Sequence, residues 1–129
     1  MQTAANLIFF FLLALLMVHE LDAIHRHEWR MFIILNKMDD EKAFQVFLIL
    51  HIPLLMAIFW LLTHSSTMVV FWFQVVVDVF LIIHKFLHDS FQKHPNNEFD
   101  TTFSKRLIDL LAVVGFIHLT LILGLRFLG

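Results

Sequence analysis

Residues 4–22 read AANLIFFFLLALLMVHELD, and the placement of this stretch decides the fold. The apolar run from Ala4 to Val18 covers only about 22 Å at a helical rise of 1.5 Å per residue. A hydrocarbon core is about 30 Å thick, so a full crossing needs about five more residues. That requirement draws His19, Glu20 and Asp22 into the membrane. Ionisable side chains there are costly unless they find partners, and by default they face the interior of a bundle and mark a functional site. The stretch has no basic segment before it and runs into HELD rather than a small-residue cleavage signal. It therefore reads as a first membrane helix and not as a cleaved leader.

The remainder of the 129-residue chain agrees, with 60% hydrophobic and 16% charged residues and a mean hydropathy of +0.81. Such a composition excludes a disordered chain and argues against a soluble domain. The formal net charge of −2 points to no nucleic-acid partner, and no glycine-rich phosphate loop is present. With no cysteine, disulfides, thiolate metal sites, iron–sulfur clusters and thiol catalysis are excluded. Any metal must then bind through imidazole and carboxylate, a donor set suited to zinc, iron, manganese or copper(II).

Three more apolar stretches follow, so the expected architecture is an all-α integral membrane four-helix bundle. It forms one domain over residues 1–129, with helices at about 4–35, 43–62, 68–88 and 104–128. The first helix is expected to continue past the membrane as the amphipathic segment HRHEWRMFII. The short HSST link (His64–Thr67) makes the second and third helices an antiparallel hairpin. Asp100 or Thr101 is placed to cap the last helix, and Pro53 to kink the second. Arg26, Arg30, Lys37, Lys42, Lys85, Lys93, Lys105 and Arg106 all border the first and third links, whereas only Arg126 lies at the opposite ends. The positive-inside rule then puts both termini on the non-cytoplasmic side. Trp60, Trp72 and Trp29 sit where an aromatic belt belongs. The expected location is a bacterial inner membrane.

Counting 1.5 Å per residue along each helix, His19, Glu20, Asp22, His84, His88 and Asp109 fall within roughly 10 Å of the cytoplasmic boundary, and His51 at about 12 Å. Four-helix bundles build metal sites from side chains facing one another at one level. His84 and His88 form an i, i+4 pair on one face, and His19 shares a face with Asp22. The expected metal ligands are His19, Asp22, His51, His84 and His88, with Glu20 and Asp109 as catalytic carboxylates. Asp109 and His118 point to opposite sides of the last helix. Gly115, on the His118 face, leaves room for a helix or a flat ligand. Asp78 aligns with Lys85 and Asp89, as either a buried ion pair or a proton relay. His25, Arg26, His27 and Arg30 are expected to be solvated helix-end charges. HELDAIH is not a zincin motif, because its second histidine falls at i+6.

The run HELDAIHRHEWR (His19–Arg30), with Ile52–Leu54 and DVFLIIHKFLH (Asp78–His88), resembles a family of small four-helix bacterial membrane proteins of unknown function. In that family H-E-[LM]-D-A ends the first helix and E-W follows. The resemblance implies the same topology and singles out His19, Glu20, Asp22, Glu28 and Trp29. It implies no activity.

Three functional classes remain. The first is a membrane metalloprotein holding one or two zinc or iron ions near the cytoplasmic leaflet, a hydrolase or oxidoreductase acting on a membrane lipid or isoprenoid. The second is a b-type haem carrier using His51 with His84 or His118. The third is a non-catalytic subunit, with pairs such as Asp22–His25, Asp78–Lys85 and Glu28 with an arginine. A homo-oligomer is compatible with each, although no GxxxG motif places a contact.

Overall fold

The computed structural model describes residues 2–127, and of Gln2 the backbone alone. Four helices carry the fold: α1 (Gln2–His25), α2 (Asp40–Leu62), α3 (Thr67–Ser90) and α4 (Thr102–Phe127). Each is long and apolar enough to cross a membrane. Among the described residues there is no strand. The last three helices fall close to their expected bounds. Leu128, included in the expected fourth helix, lies outside the described residues, as do Met1 and Gly129.

The first helix differs. It ends at His25, well before the expected residue 35, and the chain continues as two 3-10 turns, Glu28–Met31 and Leu35–Lys37. The break is at His27, whose φ of 50° is left-handed, a conformation that few non-glycine residues adopt. What offsets it is tertiary. Trp29 and Leu35 pack on Ala43 and Phe47 of α2, Trp29 Nε1 donates to Asp40 Oδ1 at 3.0 Å, and Arg30 Nε pairs with the same oxygen at 2.7 Å. Burying one large aromatic is worth about 2–3 kcal/mol, more than an extra turn of unsupported helix returns. Trp29 is therefore a buried anchor, only 4% exposed, and not a belt residue. Trp60 and Trp72 do project outward.

Contacts between the two long connections gather them at one end of the bundle. His27 Nδ1 lies 3.1 Å from Glu98 Oε2, and Asn96 Nδ2 donates to the Arg30 carbonyl at 3.0 Å. Thr101 caps α4 as expected, its Oγ1 accepting the Ser104 N–H at 3.1 Å. Helix α2 runs through Pro53.

The packing is inverted relative to a soluble protein. Phe9, Leu12, Phe73, Leu81 and Leu111 form the apolar core, yet His19, Asp78 and His118 are fully buried beside it. Along α2, Ile49, Leu50, Ile52, Leu54 and Met56 face outward. Such a continuous apolar exterior is stable against lipid and not against water. Helices α3 and α4 approach closely at Gly115, where an added Cβ would stand 3.5 Å from the Asp78 carbonyl oxygen. The space left by Gly115 thus admits the neighbouring helix and not a flat ligand.

Candidate metal centre

An i, i+4 spacing sends two side chains off one helical face, and His84 and His88 meet with their Nε2 atoms 3.1 Å apart. From the C-terminal part of α1, His19 brings its Nε2 to 2.9 Å from that of His84. The fourth group is Glu28, at the start of the first 3-10 turn, with Oε1 3.7 Å from His88 Nε2. One ligand atom from each of these four residues lies within 4.8 Å of the others. Phe99 walls the cluster, its ring 5.8 Å from His19 and 4.6 Å from His88. Phe80 stacks on His84 at 5.4 Å.

Three imidazole nitrogens directed at one point make poor hydrogen bonding. A neutral Nε2 either donates or accepts, so His84, with a nitrogen on either side, cannot donate to both. A single cation accepts all three lone pairs. Ligands 2.0–2.1 Å from a tetrahedral zinc stand roughly 3.3 Å from one another. The separations of 2.9, 3.1 and 3.7 Å bracket that spacing. The donor set could therefore hold a metal ion. Outside the ligating atoms, His19 Nδ1 and Asp22 Oδ2 are buried and have no partner among the described residues. A carboxylate is a common acceptor for the outer N–H of a ligating imidazole.

Glu28 adds charge control. Burial pushes its carboxyl up to about 8, and the nearby Glu20 and Asp22 carboxylates raise it further while His51 opposes them. At neutral pH the acid holds its proton, and a divalent ion arriving at the three nitrogens would displace it.

Of the site residues expected from the sequence, His19, His84 and His88 come together. His51 and Glu20 instead pair with each other at 2.9 Å, and His51 Nδ1 also faces the Phe47 carbonyl at 2.7 Å. Asp22 Oδ1 takes Arg26 Nε at 3.4 Å. Asp109 is turned outward, 55% exposed, and meets Lys85 Nζ at 3.1 Å. Lys85 is held as well by Asp89 at 2.6 Å, so the expected Asp78–Lys85 pair does not form. Asp78 Oδ2 bonds His118 Nδ1 at 2.8 Å, with both side chains fully buried. The member of the cluster absent from the spacing argument is Glu28, which lies beyond the end of α1. The E-W pair of the family resemblance was its one signal.

Comparison with curated proteins and with solved structures returns no match to this chain. A family model does match, over residues 5–125, which is nearly the whole sequence and includes every residue of the centre. The chain belongs to the family of unknown function DUF6713.

Proposed function

We propose that this chain is an integral membrane metalloprotein holding one zinc or iron ion on His19, Glu28, His84 and His88. The observation that carries the reading is the convergence of three Nε2 atoms within 3.1 Å steps, beside a buried carboxylate. One ion rather than two follows from the count of converging ligands. With the basic residues of the two long connections on the cytoplasmic side, the centre lies near the cytoplasmic leaflet.

A bound ion of this kind supplies Lewis acidity, and as iron it also supplies redox chemistry. The chain's own contribution is an aromatic wall at Phe80 and Phe99 and the Glu28 carboxylate, whose proton the arriving ion displaces. Glu28 is thereby favoured as the carboxylate ligand over Glu20, which is committed to His51, and over Asp109, which is committed to Lys85. A membrane lipid or isoprenoid is the substrate class, and hydrolysis or oxidation the reaction class.

The test is elemental analysis with an absorption spectrum, on the full chain purified without a His-tag or chelator. One equivalent of zinc or iron that is lost in His84→Ala supports the reading. Absence of stoichiometric metal refutes it and favours a subunit stabilised by its Glu20–His51 and Asp78–His118 pairs. A Soret band would refute it in favour of haem.

A further inference from the structure

Two clefts adjoin the cluster, one of mixed polarity and one apolar. On one side a cleft of about 120 Å³ is lined by His88 together with polar groups that include Lys85, Asp89, Asn97, Lys105 and Asp109. On the other, a smaller cleft of about 70 Å³ has Glu28, His84 and His88 at one wall and Met31, Phe32 and Phe91 at another. Met31, Phe32 and Phe91 also border a third cleft of about 490 Å³, completed by Ile33, Ile34, Val46 and Leu50 without a single polar residue. The two apolar clefts adjoin at Met31, Phe32 and Phe91, and together they form a groove that runs past the 3-10 turns and α2 towards the ligating side chains. Its outer lip is apolar in sequence and fully displayed, Ile33 being 77% and Ile34 76% exposed. A connection of this composition is stable only when it lies in lipid.

We propose that the groove and the polar cleft together seat one membrane amphiphile. Its hydrocarbon chain lies along Met31–Leu35, Val46 and Leu50, and its polar head lies in the cleft lined by Lys85, Asn97 and Lys105. The polar–apolar junction of that molecule then falls at His84, His88 and Glu28. This assignment rests on the metal reading above and names the substrate class of the same centre. The occupant is a lipid chain, because the larger cleft is lined without a polar residue and opens at the exposed Ile33 and Ile34. A water-soluble substrate would approach through the polar cleft alone and would leave the larger groove without a role. The mixed signs in the polar cleft, where Lys85 is neutralised by Asp89 and Asp109, do not demand an anionic head. They fit a head group rich in hydroxyl or amide functions.

The probe is a palmitoyl hydroxamate carrying a diazirine at the end of its chain, photolysed on the full, zinc-loaded chain in detergent. Hydroxamates bind zinc and can displace the Glu28 carboxylate from it, so the head group anchors the probe and the label reports where the tail lies. The expected result is label concentrated on residues 33–34 and 46–50. It should fall about tenfold, the effect of losing roughly 1.4 kcal/mol of binding, when zinc is stripped from the wild-type chain. Val46→Trp or Leu50→Trp, which fill the groove away from the ligands, should reduce it similarly while zinc content stays unchanged. Label spread evenly over the outward faces of α2 and α3, indifferent to zinc on a protein that holds one equivalent, overturns the amphiphile proposal and leaves the metal centre standing. A protein that binds no zinc overturns the metal reading, and this proposal with it.

Discussion

Replacing His84 by alanine removes the nitrogen that stands within 3.1 Å of both other imidazoles. The size of the effect follows from the ligand count. Structural zinc sites with four ligands bind with about 10–16 kcal/mol, or about 2.5–4 kcal/mol for each ligand. At 1.4 kcal/mol per tenfold, loss of one ligand should weaken zinc binding roughly 10²- to 10³-fold. Stability follows by linkage. At a free zinc concentration one hundred times the wild-type Kd, the wild type gains about 2.7 kcal/mol and the variant almost nothing. In chelator the two proteins should differ by only about 1 kcal/mol, the usual net worth of a hydrogen bond. The assay is a competition titration against a chromogenic chelator, paired with thermal unfolding in detergent with and without zinc. A His84→Ala protein that keeps zinc affinity within threefold of wild type refutes the reasoning. Equal destabilisation in chelator and in zinc would do the same, because His84 would then be a packing residue.

Glu28 sets the pH dependence. Its carboxyl is raised from 4.5 to about 8 in the folded, metal-free chain, so the folded state binds the proton more tightly than the unfolded state. Its contribution to metal-free stability is therefore fully present below about pH 4.5 and is lost as pH rises through about 8. Zinc affinity moves the other way, gaining up to about tenfold per pH unit below 8 as binding displaces this proton. Near pH 7, calorimetry in buffers of different ionisation enthalpy should show about one more proton released by wild type than by Glu28→Gln. Equal release would reject that role for Glu28. The buried Asp78–His118 pair should make Asp78→Leu and His118→Leu each destabilising by about 2–4 kcal/mol. The double variant should cost less than the sum, as read by denaturant unfolding in mixed micelles, and additive losses would show that the pair is not coupled. Gly115→Ala should be tolerated, its Cβ 3.5 Å from the Asp78 oxygen being in ordinary contact. Gly115→Leu should unfold the chain at lower temperature by prising α3 from α4, and a Leu variant as stable as Ala would contradict that packing.

The parts of this architecture that were legible in the sequence are those governed by local geometry and by bilayer thickness. Helix lengths follow from apolar runs, and the His84–His88 pair follows from its spacing alone. His19 was reachable because an apolar run too short to span forces its next residues inward. Where the reading fell short, the deciding contact was tertiary. The chain leaves α1 at His27 because Trp29 docks under α2 and holds Asp40, and that docking carries Glu28 back to the histidines. No periodicity announces it. Depth counting placed Glu20, His51 and Asp109 at the right level, but level does not fix partners: Glu20 closes on His51, and Asp109 turns to Lys85. The orientation of α4 is likewise fixed by Gly115 against the Asp78 backbone. That contact turns His118 inward and leaves Asp109 at the surface.

The most direct test of the central claim is X-ray absorption at the metal edge, on protein purified with its native metal. The expected spectrum is that of one zinc or iron ion with three imidazole nitrogens and one carboxylate oxygen at about 2.0–2.1 Å, as for zinc, with one imidazole fewer in His19→Ala. A spectrum with fewer than three imidazoles, or one unchanged in His19→Ala, would contradict that claim.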